Sequence, residues 1–275
     1  MSIRVFTALI LLLVAASPAS AGRYFTNQDL EKYKKASDTK KPAPEENIPA
    51  VKYGPPPKEN WDYRPKKYVI PYSGSSRRIV IQVTFNNRVA APMLLDTGAT
   101  GMLISLRLAE RLGVLDNDRA KLLSLVGGVG GMIPAIFTIL DSIRVGDVEY
   151  DFIPTTISFL DFQGFDGLIG MDFMTNYSVF IDTRKRRVVF EELPESSNMP
   201  AGRSETWWRD TFRKFKSMRA EWRRYRERLY NEDSDSLRVR ELRAFADSQY
   251  ENAEDLYDRL NVYASEYSVP LEWRR

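Results

Sequence analysis

The chain has 275 residues and contains neither cysteine nor histidine. Without cysteine it has no disulfide, no thiolate nucleophile, no iron–sulfur cluster and no cysteine zinc site. Without histidine it has no Ser-His-Asp or Cys-His pair and no imidazole metal ligand. Acid–base chemistry must come from Asp, Glu, Lys or Tyr. Excess charge is scarce too: the formal net charge is +3, too mild to argue for nucleic acid.

Long apolar runs are limited to one. Arg4 precedes Val5 to Ala16, an uncharged stretch of 12 residues, and Ser17-Pro18-Ala19-Ser20-Ala21 then presents small residues in a cleavage-site pattern. At about 1.5 Å per residue the run is too short for a bilayer core of about 30 Å. The pattern predicts a signal peptide over 1–21, with cleavage before Gly22, rather than an uncleaved anchor. The mature chain would carry a net charge of +2, since Arg4 is removed. It is expected to be exported, to a periplasm or the medium, with no stable membrane span. A chain without cysteine suits such an oxidising compartment.

From Gly22 to about residue 67 the sequence reads as a tether. Eight of the fifteen prolines fall between Pro42 and Pro71, interspersed with Lys and Glu, which describes a semi-extended spacer without a core. Between Tyr68 and Leu193 the pattern changes to short β-type runs. Arg78 to Phe85 alternates, Asn86-Asn87 suits a hairpin turn into Val89 to Leu95, and further runs cover Ile133 to Leu140, Val148 to Ile153, Ser178 to Asp182 and Val188 to Phe190. One short helix is predicted from Leu106 to Leu112, with Ser105 as its N-cap and Gly113 closing it. These elements predict a mainly β domain, a compact barrel or sandwich over 68–193.

Residues 203–267 predict an antiparallel α-helical hairpin, coiled-coil-like, with a tail over 268–275. Trp208, Phe215, Trp222 and Leu229 recur every seventh position, as do Leu242, Gln249, Leu256 and Tyr263, on either side of the polar turn Asn231 to Ser236. The first arm carries a net charge of +6 and the second −6, so they should pair with each other. This seam predicts a hairpin that folds by itself, with Trp222 at its centre.

The chemistry is concentrated in one motif. Asp96-Thr97-Gly98-Ala99-Thr100 follows an apolar strand and precedes the capped helix, and about 65 residues later comes Leu168-Ile169-Gly170. Between the two lies a glycine-rich tip, Gly127-Gly128-Val129-Gly130-Gly131. Metal-free peptide hydrolysis needs one group to deprotonate water and another to protonate the carbonyl or leaving nitrogen. Two carboxylates about 3 Å apart fill both roles, because they cannot both ionise. The chain has a single Asp-[Ser/Thr]-Gly. A two-lobed arrangement within one chain is thereby excluded.

This three-part order resembles the retropepsin-like aspartic proteases, in particular the exported single-domain bacterial members. The resemblance implies a closed barrel or sandwich of the acid-protease type, with Asp96 catalytic and Thr97, Gly98, Ala99 and Thr100 supporting the active-site loop. It implies that Leu168, Ile169 and Gly170 pack behind that loop, and that Gly127, Gly128, Val129, Gly130 and Gly131 form the tip of a flap over substrate. It also implies a homodimeric endopeptidase acting on polypeptides, without metal or cofactor. The alternative is a catalytically silent dimer serving as a binding module in the cell envelope. Thr100 stands where retroviral members usually have Asp, and the flap has no aromatic residue. Neither the tether nor the helical hairpin has a counterpart in the minimal viral enzyme.

Overall fold

Ten strands build the β domain: β1 Lys67–Pro71, β2 Val80–Phe85, β3 Val89–Leu95, β4 Met102–Ser105, β5 Leu122–Gly128, β6 Gly131–Val145, β7 Val148–Ser158, β8 Gly167–Ile169, β9 Tyr177–Asp182 and β10 Arg187–Glu192. Among the described residues the α-helices are α1 Leu106–Leu112, α2 Met171–Met174, α3 Glu205–Tyr230 and α4 Leu237–Glu266. This is a computed structural model that describes residues 64–74, 78–116, 119–128, 131–160, 162–193 and 199–275. The expected signal peptide and nearly all of the expected tether lie outside the described residues.

The main sheet runs β2-β3-β8-β4-β7-β6-β5, and β2 also pairs with β6. That extra pairing, Thr84 with Arg144 and Phe85 with Ile143, closes a six-strand barrel and leaves β5 hanging on its outside. Within this sheet, closure leaves β5 as the edge strand. The barrel is filled by Ile81, Val83, Phe85, Met93, Ile104 and Ile157, all buried. The domain is mainly β, as expected, and its main sheet closes into a barrel.

Local chemistry explains the connections. Asn86 and Asn87 both adopt positive φ, 48° and 52°, which a tight hairpin between right-twisted strands requires. Ser105 caps α1 by accepting from the Leu108 N–H at 3.1 Å, and Gly113 ends it with φ 71°. Two of the elements that the sequence did not display are α2 and β1. The short helix α2 follows Gly170 directly, and Lys67 opens β1 inside the region read as tether. There β1 pairs antiparallel with β10, and Pro71, which has no N–H to donate, sits on that edge strand.

The two long helices pair antiparallel through the expected charges: Arg226 meets Asp247 at 2.6 Å and Arg219 meets Glu254 at 3.3 Å. Such half-exposed pairs contribute only about 0.2–1 kcal/mol each. Packing carries the rest, and here the structure departs from the expected self-contained hairpin. Trp208, Phe212, Phe215, Leu256, Leu260 and Tyr263 share one core with Leu122, Phe137, Ile139 and Phe152 of the β domain. Phe215 meets Phe137 edge-on at 5.3 Å, and Tyr263 stacks on Phe152 at 4.6 Å. Phe152 has φ 54°, which an aromatic residue adopts only at a cost of about 1–3 kcal/mol. Burial against Tyr263 and Phe215 offsets that cost.

Gln249 also leaves its expected place between the helices. Its Oε1 accepts the Leu123 N–H at 2.7 Å, so it satisfies a donor on the open edge of β5. The hairpin therefore covers the outer face of the barrel and part of its remaining edge. Trp222 is only partly buried at the rim of this core, whereas Trp208 is fully buried.

Two outcomes follow for denaturant titrations. Trp208→Ala should cost about 3–5 kcal/mol and Trp222→Ala clearly less. Deletion of residues 203–275 should leave a β domain that fails to fold cooperatively, since Leu122, Phe137, Ile139 and Phe152 would face water. A truncated domain melting as sharply as the full chain would contradict the shared core.

Candidate active site

Asp96 stands immediately after β3, and two strands hold it there. Leu94 and Leu95 of β3 pair in parallel with Leu168 and Ile169 of β8, while the other side of β8 pairs antiparallel with β4. The Asp96 N–H donates to the Ile169 carbonyl at 3.0 Å, and the Leu95 N–H donates to the Ile79 carbonyl at 2.9 Å. The Asp96 loop thus begins on a backbone fixed from both sides. Within it, the Gly98 N–H donates to Asp96 Oδ1 at 2.9 Å, orienting the half-buried carboxylate. Thr97, Gly98 and Thr100 are exposed, and Ala99 is half-buried.

Gly170 closes the loop from behind. A methyl group there would come within 2.5 Å of the Ala99 carbonyl oxygen and 2.6 Å of that of Gly101. The Met171 N–H donates to the Ala99 carbonyl at 2.8 Å, and the Asp172 N–H to the Thr100 carbonyl at 3.0 Å. Leu168, Ile169 and Gly170 are therefore brought against the Asp-Thr-Gly loop, and only a residue without Cβ fits at the point of contact. Gly167 is similarly confined, since a Cβ would lie 2.1 Å from the Leu103 carbonyl oxygen.

Strands β5 and β6 form the hairpin that carries the expected flap tip, paired as far as Gly128 opposite Gly131. Gly127, Gly128 and Gly131 thus occupy its end, while Val129 and Gly130 lie outside the described residues. Its root is anchored in the shared core: Leu122 pairs with Phe137, and both are buried among Trp208, Phe212 and Phe215.

Sequence reasoning missed the carboxylates that brace the site. Asp166 is buried and accepts from Arg107 at 2.6 Å and Arg111 at 3.1 Å, both on α1. Its N–H donates to the Pro92 carbonyl at 2.7 Å and its carbonyl accepts the Ser105 N–H at 2.8 Å, so directly before β8 it joins α1, β3 and β4. An aspartate beside Gly167 with two arginines four apart on a capped helix was the available signal.

The second is Asp172. Its carboxylate Oδ2 lies 3.3 Å from where a Cβ at Gly101 would sit. Burial pushes its carboxyl above the usual range, opposed by the positive charge of Arg203, the Phe173 N–H, Lys214 and the Met102 N–H in that order. Among the described residues no group of three or more metal-ligating side chains occurs, and no helix is long and apolar enough to cross a membrane.

Gly170→Ala should destabilise the fold and disorder residues 96–101, read as a lowered melting temperature and faster hydrogen exchange there. The Asp172 carboxyl gives a pH signature of known sign. Its pKa is higher folded than unfolded, so the folded state binds more protons between the two values. The stability it contributes is present below the unfolded value of about 3.9 and is lost as pH rises through the folded one. Asp172→Asn should therefore gain melting temperature relative to wild type as pH rises through that window. A constant difference across it would contradict the assignment.

Residues 81–173 match the family described as aspartyl protease. The chain is similar to the crystal structure of a retropepsin-like aspartic protease from Rickettsia conorii, at 20% identity over 48% of this chain and 95% of that one, with a TM-score of 0.36. It is similar too to EIAV protease complexed with the inhibitor HBY-793, at 20% identity over 38% of this chain and 90% of that one, with a TM-score of 0.31. Among curated proteins nothing matches. The matched residues run from β2 through the Asp96 loop and β8 to α2, so the likeness to the aspartyl protease family lies in the β domain and takes in the whole of this site.

Proposed function

We propose that this chain is an exported aspartic endopeptidase, active as a homodimer, in which two copies each contribute Asp96 to one site. The observation that carries this reading is the Asp96 loop itself. One half-buried carboxylate sits on a backbone fixed by β3 and β8, beside the exposed Thr97 and Gly98. Those exposed residues leave the face of the loop open to a second copy, which the single Asp-Thr-Gly requires.

The reaction then runs through a pair of carboxylates sharing one proton. The ionised Asp96 takes a proton from water, whose oxygen attacks the scissile carbonyl carbon. The protonated Asp96 of the other copy gives its proton to the carbonyl oxygen, forming a gem-diol. Proton return to the nitrogen breaks the C–N bond and releases an amine and a carboxylic acid. Only the singly protonated pair works, so activity should be bell-shaped in pH, with two apparent pKa values that belong to the pair. The flap hairpin β5–β6 would close over an extended polypeptide. Export rests on the Arg4, apolar-run and small-residue pattern of residues 1–21.

The test is digestion of a random peptide library by wild type and Asp96→Asn at matched concentration. Wild type should cleave, Asp96→Asn should not, and mixed dimers should be nearly inactive. Specific activity should fall on dilution, because a monomer holds half a site. Cleavage by Asp96→Asn, or full activity from a sample shown to be monomeric, would overturn the mechanism.

A further inference from the structure

Arg203 is 2% exposed, and among the described residues no carboxylate forms an ion pair with it. Its guanidinium lies between two rings, 4.2 Å from the centre of Tyr150 and 4.6 Å from that of Trp207. Its Nε has no hydrogen-bond partner, and its Nη1 makes a long contact of 3.4 Å to the Asp172 carbonyl. A buried cation so poorly paired is costly, and an apolar side chain of similar length would fill the slot at less expense. Packing alone does not account for an arginine here.

Its neighbour does. Asp172 is bonded to the rear of the catalytic loop through its N–H to the Thr100 carbonyl, with its carboxylate against Gly101. Arg203 therefore approaches the same residue that touches Thr100 and Gly101. It comes from the segment that leads into α3, one residue before the Ser204 cap. The Trp207 ring that covers Arg203 belongs to the first turn of α3, and Trp207 packs into the core shared by the helices and the barrel. A continuous chain of contact thus runs from the helical hairpin through Arg203 and Asp172 to the residues following Asp96.

We propose that Arg203 is a positioning residue for the catalytic loop, acting through Asp172, so that the appended hairpin is part of the apparatus that orients Asp96. This rests on the endopeptidase reading for its effect on rate, though not for its effect on the loop. The guanidinium draws Asp172 toward α3 and fixes the depth at which Thr100 and Gly101 sit. Loss of it should let residues 96–102 breathe without releasing substrate contacts, a change in turnover more than in binding.

The experiment compares full-length wild type, Arg203→Met, Arg203→Lys and Asp172→Asn, with Arg213→Met as a control on the exposed face of α3. Each is measured by hydrogen exchange over peptides covering residues 96–102, by thermal melting, and by kcat and KM on a peptide that wild type cleaves. Arg203→Met keeps the apolar packing between the rings. It should speed exchange in 96–102 by about tenfold and lower kcat by about tenfold with KM within about twofold. Arg203→Lys should recover part of both effects, and Arg213→Met should change neither. If Arg203→Met does not fold, Asp172→Asn carries the test, with the same acceleration expected. Exchange at the wild-type rate in a folded Arg203→Met or Asp172→Asn overturns the proposal. Should no substrate be found while exchange in 96–102 still responds, the positioning role stands and the endopeptidase reading falls.

Discussion

The three residues of β8 are the constraint on which the remainder of the domain turns. Gly167, Leu168 and Ile169 lie between β3 and β4, parallel to one and antiparallel to the other. Without β8 the sheet has no link between β3 and β4, and the barrel cannot close. With it, the chain reaches Gly170 at a point where backbone meets backbone and no Cβ can be accommodated. The same insertion that closes the barrel also supplies the acceptor for the Asp96 N–H. Barrel closure and the anchoring of the Asp96 backbone are thus one event.

The second organising fact is an apolar exterior. Ala135 to Leu140 are buried without interruption, including residues whose side chains alternate between the two faces of β6. A barrel strand with water on its outer face would alternate apolar with polar. Here Phe137 and Ile139 point away from the barrel interior and must be covered, and the helical hairpin covers them. Since Phe137 stands opposite Leu122, the helices pack against the root of the β5–β6 hairpin, while Arg203 reaches the Asp172 carbonyl behind the Asp96 loop. The opposite charges of the two helices choose their antiparallel partner, while the aromatic core decides where the pair sits.

How much of this was legible follows from the range of each interaction. The α1 caps at Ser105 and Gly113, the Asn86-Asn87 turn and the polar turn before Ser236 are set by neighbours a few residues away, so the sequence displays them directly. The Asp-Thr-Gly loop and Leu168-Ile169-Gly170 were legible as a pair because both are short backbone motifs. The partner of the hairpin was not, because a seven-residue apolar repeat specifies a buried face without naming what buries it. Trp207, outside that repeat, is nonetheless buried. The missed signal lay in β6, whose unbroken run Ile136-Phe137-Thr138-Ile139-Leu140 has too few polar residues for a strand wet on one side. Arg203 and Asp172 were invisible for a different reason: a charged residue near a helix start reads as solvated, and only tertiary packing buries it.

Gln249 shows why the helices belong to the fold rather than to the surface. A seventh-position residue in an apolar seam should be apolar, and glutamine there would cost free energy if its amide were left unpaired. Its carbonyl instead satisfies the Leu123 N–H, a donor that an edge strand would otherwise present to any passing strand. One polar side chain therefore settles two liabilities, its own burial and the open edge of β5. An apolar residue at 249 could pack equally well between helices but would leave the Leu123 N–H unsatisfied. That choice makes sense only if α4 and β5 are always together, so the sequence of the hairpin is matched to the barrel and not merely to itself.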